Sequence, residues 1–255
     1  MSQLQKAITR TQRREVTGGL GFGQARKEQP KAMLAGVAAR DEGTAKALLA
    51  AGADLVIIRA KDAAGALKAL KSVATDKSCI GVQVSALDAA GAEALYKAHC
   101  DFVVSPLDST AAAALDPEKM GHVLIGSADL DDTTLRAMGP LGLDALYVEL
   151  DPGAMTLASQ LALVRLSSFS STALLVAVNA DAPVAELRVL RDSGVVAVIA
   201  PEGTTVEQIE SLIANLKAVP PPKKNKREGA EMAIVPSAAS RSSDSEEDDA
   251  DEDDE

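Results

Sequence analysis

Arg59, Lys61, Gln83, Glu149 and Asn179 stand in or just after apolar runs, in LVIIRAK, GVQVS, ALYVE and LLVAVN. A guanidinium or an ammonium can hold an anion, the guanidinium through two parallel hydrogen bonds, and a carboxylate facing it can move a proton. Glu149 and Lys61 are therefore the candidate catalytic groups, with Lys61 serving as a second cation or a Schiff-base amine. Arg59, Gln83 and Asn179 are candidate substrate ligands. Arg59 and Glu149 each lie five positions beyond an aspartate, Asp54 and Asp144, which sets them at one level of their respective runs. The plainer alternative is a salt bridge that satisfies two charges. Gln83 interrupts an apolar run, so its amide needs partners, since a polar group buried without one costs about 1–3 kcal/mol.

Gly203 and Thr204, in APEGTTVEQIE, complete the candidate substrate ligands. Backbone N–H groups and a hydroxyl at the positive end of a helix suit a phosphate. Glu202 stands where that anion would approach, and the segment equally fits a capping box with Thr204 as N-cap and Glu207 three residues on. Arg40, Asp62, Ser85, Ser105, Ser127, Asp129, Asp151 and Asp181 are the remaining polar residues at the ends of apolar runs. No metal and no cofactor is expected. His99 and His122 fall at the opposite ends of the runs, which leaves a Mg²⁺ on two of Asp129, Glu149, Asp151 and Asp181 as the alternative. Serines without a histidine to take their proton make no nucleophile.

Eight apolar runs carry these residues. Four follow a helical stretch and a short turn, AGADLVIIRA from Ala51, AHCDFVVSPL from Ala98, LGLDALYVEL from Leu141 and DSGVVAVIAP from Asp192; the others are KAMLAGVAAR, SCIGVQVSAL, HVLIGSADL and STALLVAVNA. Short, β-branched, continuously apolar runs separated by helical stretches describe a parallel sheet buried on both faces. Helices are expected at Glu42 to Ala51, Ala63 to Val73, Ala89 to Ala98, Thr110 to Leu115, Asp132 to Met138, Met155 to Ser167, Val184 to Arg191 and Thr205 to Leu216. Eight units with no exposed sheet edge make a closed (β/α)8 TIM barrel, and an open doubly wound sheet is the alternative.

The helix-Gly-x-Asp-strand rhythm of AGADLVII resembles phosphate-binding TIM barrels such as the hexulose-phosphate synthase, thiamine-phosphate synthase and histidine-biosynthesis groups. The resemblance covers residues 31 to 219 as a rhythm, and the D-x-K-x-x-D set of the hexulose-phosphate synthase and orotidine decarboxylase group is absent. It implies a lyase or isomerase working on a phosphorylated or carboxylated small metabolite.

Charge divides the chain into three parts. Residues 1 to 30, with six Lys/Arg against two Asp/Glu, form a basic arm with a short helix near Gln3 to Arg14 and a glycine cluster, Gly18 to Gly23, that lacks the spacing of a phosphate loop. Residues 31 to 219 are the barrel. Residues 220 to 255 are a tail, first basic (KKNKR) and then acidic, with ten Asp/Glu in the last fifteen residues; such a block is expected to stay disordered, and AEMAIVPSA between the two blocks to act as linker. Cys79 and Cys100 abut buried runs and are expected to be reduced and structural. Without a bilayer-spanning run or a signal peptide, a cytoplasmic protein is expected. With no Trp and an acidic body, a specific nucleic-acid partner is not. The expected partners are an anionic small molecule and, for the acidic tail, a basic protein.

Two functions follow, a small metabolite enzyme or a non-catalytic barrel acting as an interaction or scaffold module through its charged tails. An enzyme predicts Arg59, Gln83, Glu149 and Asn179 around an open polar mouth. A scaffold predicts an apolar mouth with Arg59 paired to Glu149.

Overall fold

The structure, a computed structural model, describes residues 1–16, 31–70, 78–150 and 155–220. Strands β1 (Leu34–Ala39), β2 (Leu55–Arg59), β3 (Ile80–Gln83), β4 (Phe102–Pro106), β5 (Gly121–Gly126), β6 (Ala145–Val148), β7 (Ala173–Ala177) and β8 (Val195–Ala200) pair in chain order, all parallel, and β8 returns to β1. The expected (β/α)8 barrel is the fold the chain adopts. Helices α1 (Gln3–Val16), α2 (Glu42–Ala50), α3 (Ala63–Leu70), α4 (Ala89–Lys97), α5 (Asp132–Met138), α6 (Leu157–Ser170), α7 (Val184–Asp192) and α8 (Val206–Ala218) complete it. The glycine cluster, Asp151 and the segments KKNKR, AEMAIVPSA and the acidic block lie outside the described residues.

Local chemistry explains the helix starts. Asp41, Asp62, Asp88, Asp131 and Thr156 each accept a backbone N–H from the first turn of the helix they precede, satisfying donors that have no partner within a helix. Each helix then buries small and apolar residues three or four apart, such as Ala45 with Leu48, Ala92 with Leu95, and Ile209 with Leu212 and Leu216. The helix expected at Thr110 to Leu115 is replaced by two short 3-10 turns, Leu107–Ser109 and Ala112–Ala114. Thr110 is held instead in a parallel bridge with Leu87 and donates its hydroxyl to the Pro106 carbonyl at 2.7 Å. Those bonds commit the backbone that a helix would have used.

Alternation along each strand divides the apolar residues in two. Val56, Ile58, Val82, Leu146 and Val176 face the helices, while Leu55, Ile57, Phe102, Val104, Val123, Tyr147, Leu175 and Ile199 fill the ring. Gly81 makes room for Phe102, the second largest of these, because a Cβ there would stand 2.3 Å from its ring.

Helix α1 closes the N-terminal end of the ring. Its Leu4 and Ile8 are buried among the interior residues. Asp101, just before β4, accepts the Gln3 and Leu4 N–H groups at 2.6 and 2.9 Å, and Asp144, just before β6, accepts the Ser2 hydroxyl at 2.6 Å. The third aspartate of the rhythm, Asp54, binds Lys31 at 2.5 Å and the Ala35 N–H at 2.8 Å. The helix expected near Gln3 to Arg14 is therefore present, and it belongs to the barrel's floor. Both buried cysteines are free, and burial raises the Cys79 thiol well above its ordinary range and the Cys100 thiol to about 12.

Leu4→Ala should cost about 2–5 kcal/mol in chemical unfolding, as for other fully buried leucines; a loss below 0.5 kcal/mol would mean that α1 does not seal the ring. Burial raises the Asp144 carboxyl above its ordinary value, with Asp101 adding to it. The folded state therefore holds that proton more tightly than the unfolded chain, so stability from this group is greatest in acid and falls as pH rises through its raised pKa. Asp144→Asn should accordingly raise the melting temperature at pH 7, with the gain shrinking as the pH is lowered towards 3. A gain of constant size across that range would show that charge is not its source.

Candidate functional site

β2 and β6 stand opposite each other in an eight-membered ring, and both carry inward-facing residues to its C-terminal mouth. Arg59, the last residue of β2, reaches across and donates from Nη2 to Glu149 Oε1 at 3.0 Å and to the Tyr147 hydroxyl at 3.3 Å. Tyr147 donates in turn to Glu149 Oε1 at 3.2 Å. Side chains 90 positions apart in sequence thus meet, as the equal offset from Asp54 and Asp144 requires. Tyr147, hydroxyl included, is 1 % exposed and its ring belongs to the apolar filling, so its hydroxyl meets the ion pair from beneath, out of contact with solvent. Burial, and next the Glu149 charge, raise the pKa of that phenol, which keeps it a proton donor. Arg59 and Glu149 are 40 % and 56 % exposed, so a solute can approach both.

The arrangement joins features that the two readings assign separately, an Arg59–Glu149 ion pair over an apolar floor and an exposed polar mouth. A pair this exposed is worth about 0–1 kcal/mol, and an incoming anion can compete for the guanidinium without large loss. Arginine's five donors also leave it bonds to offer a ligand while Glu149 stays in place.

Gln83 is the partner of Arg59 in the β2–β3 register. Its Oε1 is buried and, among the described residues, accepts no hydrogen bond. Lys61 and Asn179 are exposed, beyond the ends of β2 and β7 and outside the hydrogen-bonded group. At the far side of the mouth, Gly203 is exposed with φ +88°. Thr204 is buried, and its hydroxyl and its N–H both donate to the Pro201 carbonyl. Glu202 binds Arg40. The capping box lies one residue later than the sequence suggested, on Thr205 and Gln208, because Thr204 turns inward to close the loop. Those bonds occupy the hydroxyl and the N–H that Thr204 would have offered a phosphate.

Other rim residues have local duties. Asp62 caps α3, Ser105 shares a hydrogen bond with the Thr110 hydroxyl, and Ser127 bonds Asp129. Among the described residues no three His, Cys, Asp or Glu side chains gather closely enough to hold a metal ion, and no helix is long and apolar enough to cross a membrane. His122 Nε2 accepts the Asp116 N–H at 3.0 Å, and burial lowers its pKa, so the ring is neutral and structural. Tyr147 was not among the residues singled out from the sequence. The signal was its position two before Glu149, which puts both on the same face of the strand.

No protein-family model matches the chain, and no curated protein matches it in sequence. Solved structures do match in fold. Tryptophan synthase from Mycobacterium tuberculosis, in an aminoacrylate-bound form, has a TM-score of 0.60 at 12% identity over 86% of this chain and 99% of that one. The same enzyme in another crystal form gives 0.62 at 14% identity, over 87% and 99%. A mutant tryptophan synthase alpha-subunit from Pyrococcus furiosus gives 0.55 at 11% identity, over 74% and 98%. At these identities the likeness establishes a shared barrel architecture.

Proposed function

We propose that the protein is a metabolite enzyme, a lyase or isomerase, acting on a small phosphorylated or carboxylated compound at the Arg59–Tyr147–Glu149 mouth. The observation that carries this reading is the meeting, over a buried phenol, of a guanidinium and a carboxylate that are both open to solvent, at the end of the barrel where (β/α)8 enzymes keep their chemistry. Arg59 holds the anion of the substrate, and Lys61 adds positive charge at the rim. Glu149, anchored by Arg59 and Tyr147, takes a proton from the bound compound or returns it. Tyr147 fixes the carboxylate and keeps its own proton. The tryptophan synthases that share the fold are enzymes, which supports catalysis over a purely structural barrel as an analogy of fold.

The ion pair itself is the observation that favours the second reading, a non-catalytic interaction module. In that case the mouth binds no metabolite, and recovery of partner proteins depends on residues 221 to 255.

A thermal-shift screen of the full chain against sugar phosphates, nucleotides and dicarboxylates separates the two. At a hundred times its dissociation constant a true ligand stabilises by about 2.7 kcal/mol, a rise of several degrees that Arg59→Met should abolish. Glu149→Gln should keep the shift and lower turnover of the same compound by about 100-fold or more. A screen without a hit, or a hit unaffected by Arg59→Met, would overturn the reading.

A further inference from the structure

The orphaned amide oxygen of Gln83 carries information about the ligand. Inward-facing β3 positions hold Gly81 and then Gln83, and the Phe102 ring lies against Gly81, so the floor under Gln83 is aromatic and offers no strong donor. On one side its register partner is Arg59, and on the other Val104. Arg59 is already directed across the barrel to Tyr147 and Glu149. Gln83 Oε1 is left buried without a hydrogen bond, an arrangement that native proteins tolerate rarely and mostly for a reason. An apolar residue of the same length would fill this place without the penalty.

We propose that Gln83 is a specificity determinant: its partly exposed side chain turns its amide towards the mouth, and the ligand is an organic anion carrying a hydroxyl that then donates to Gln83 Oε1 while its anionic group rests on Arg59. This rests on the reading of the mouth as an anion site. Neighbouring strands are about 4.8 Å apart, so the hydroxyl and the anion must be separated by only a few bonds. Hydroxycarboxylates and hydroxyalkyl phosphates share that chemistry. Their deoxy counterparts would leave Gln83 Oε1 as unpaired as it is in the free protein, so the hydroxylated compound alone gains the hydrogen bond and is preferred.

Calorimetric titration of the full chain with two matched pairs, malate against succinate and glycerol 3-phosphate against n-propyl phosphate, tests the proposal and shows which anion the site takes. In at least one pair the hydroxylated member should bind tenfold or more tightly to the wild type. Gln83→Leu and Gln83→Met should erase that preference by weakening the hydroxylated member alone, and both variants should melt at or above the wild-type temperature because they remove an unpaired buried atom. If anions bind through Arg59 but without preference for the hydroxyl, or if the preference survives both substitutions, the Gln83 proposal fails and the anion site stands. If none of the four compounds binds, the anion site fails and the Gln83 proposal fails with it.

Discussion

Pairing of β8 with β1 is the constraint on which the rest of this structure depends. Leu34 to Val37 meet Ala197 to Ala200 in parallel register, which removes both edges of the sheet and turns a row of strand ends into a rim. Only on a closed ring do β2 and β6 face one another, so only there can Arg59 and Glu149 share a hydrogen bond. An open sheet of the same strands would leave them on distant parts of one edge.

A closed ring has two ends, and the chain treats them differently. At the floor, α1 inserts Leu4 and Ile8, and the aspartates that precede β4 and β6 anchor its first turn. This replaces water with apolar side chains and satisfies the helix's unpaired donors by carboxylates. At the mouth the filling stops at the Tyr147 ring, and the layer above is polar and partly exposed. The gradient from apolar floor to wet mouth sets the two ends of the barrel apart. The same aspartate rhythm thus serves two purposes, holding the floor directly and, five residues later, setting the height of Arg59 and Glu149.

Much of this was legible in the sequence because parallel strands buried on both faces write themselves as short apolar runs. All eight strands were readable, and so was the Arg59–Glu149 encounter, since equal offsets on strands of equal tilt give equal heights. The 3-10 turns at Leu107–Ser109 and Ala112–Ala114 were not, because the Leu87–Thr110 bridge that overrides the helical composition joins residues 23 positions apart. The docking of α1 was hidden for a similar reason. Its i, i+4 apolar spacing marks a helix, but the carboxylates that receive its start lie 98 and 142 positions away. Thr204 and Thr205 are chemically near-identical, and which of them caps α8 depends on the Pro201 carbonyl that only the folded loop presents. Gln83 was recognisable as an anomaly, while its missing partner was a fact of packing.

Receipt of an anion between Arg59 and Glu149 is the proposal on which the reading of the mouth rests. A crystal structure of the full chain soaked with a hydroxylated organic anion tests it most directly. The anion should lie on the Arg59 guanidinium, with its hydroxyl within about 3.2 Å of Gln83 Oε1, the ordinary limit of such bonds, and Glu149 alongside. A mouth that stays free of the anion under saturating conditions, with Arg59 still bound to Glu149, would contradict it.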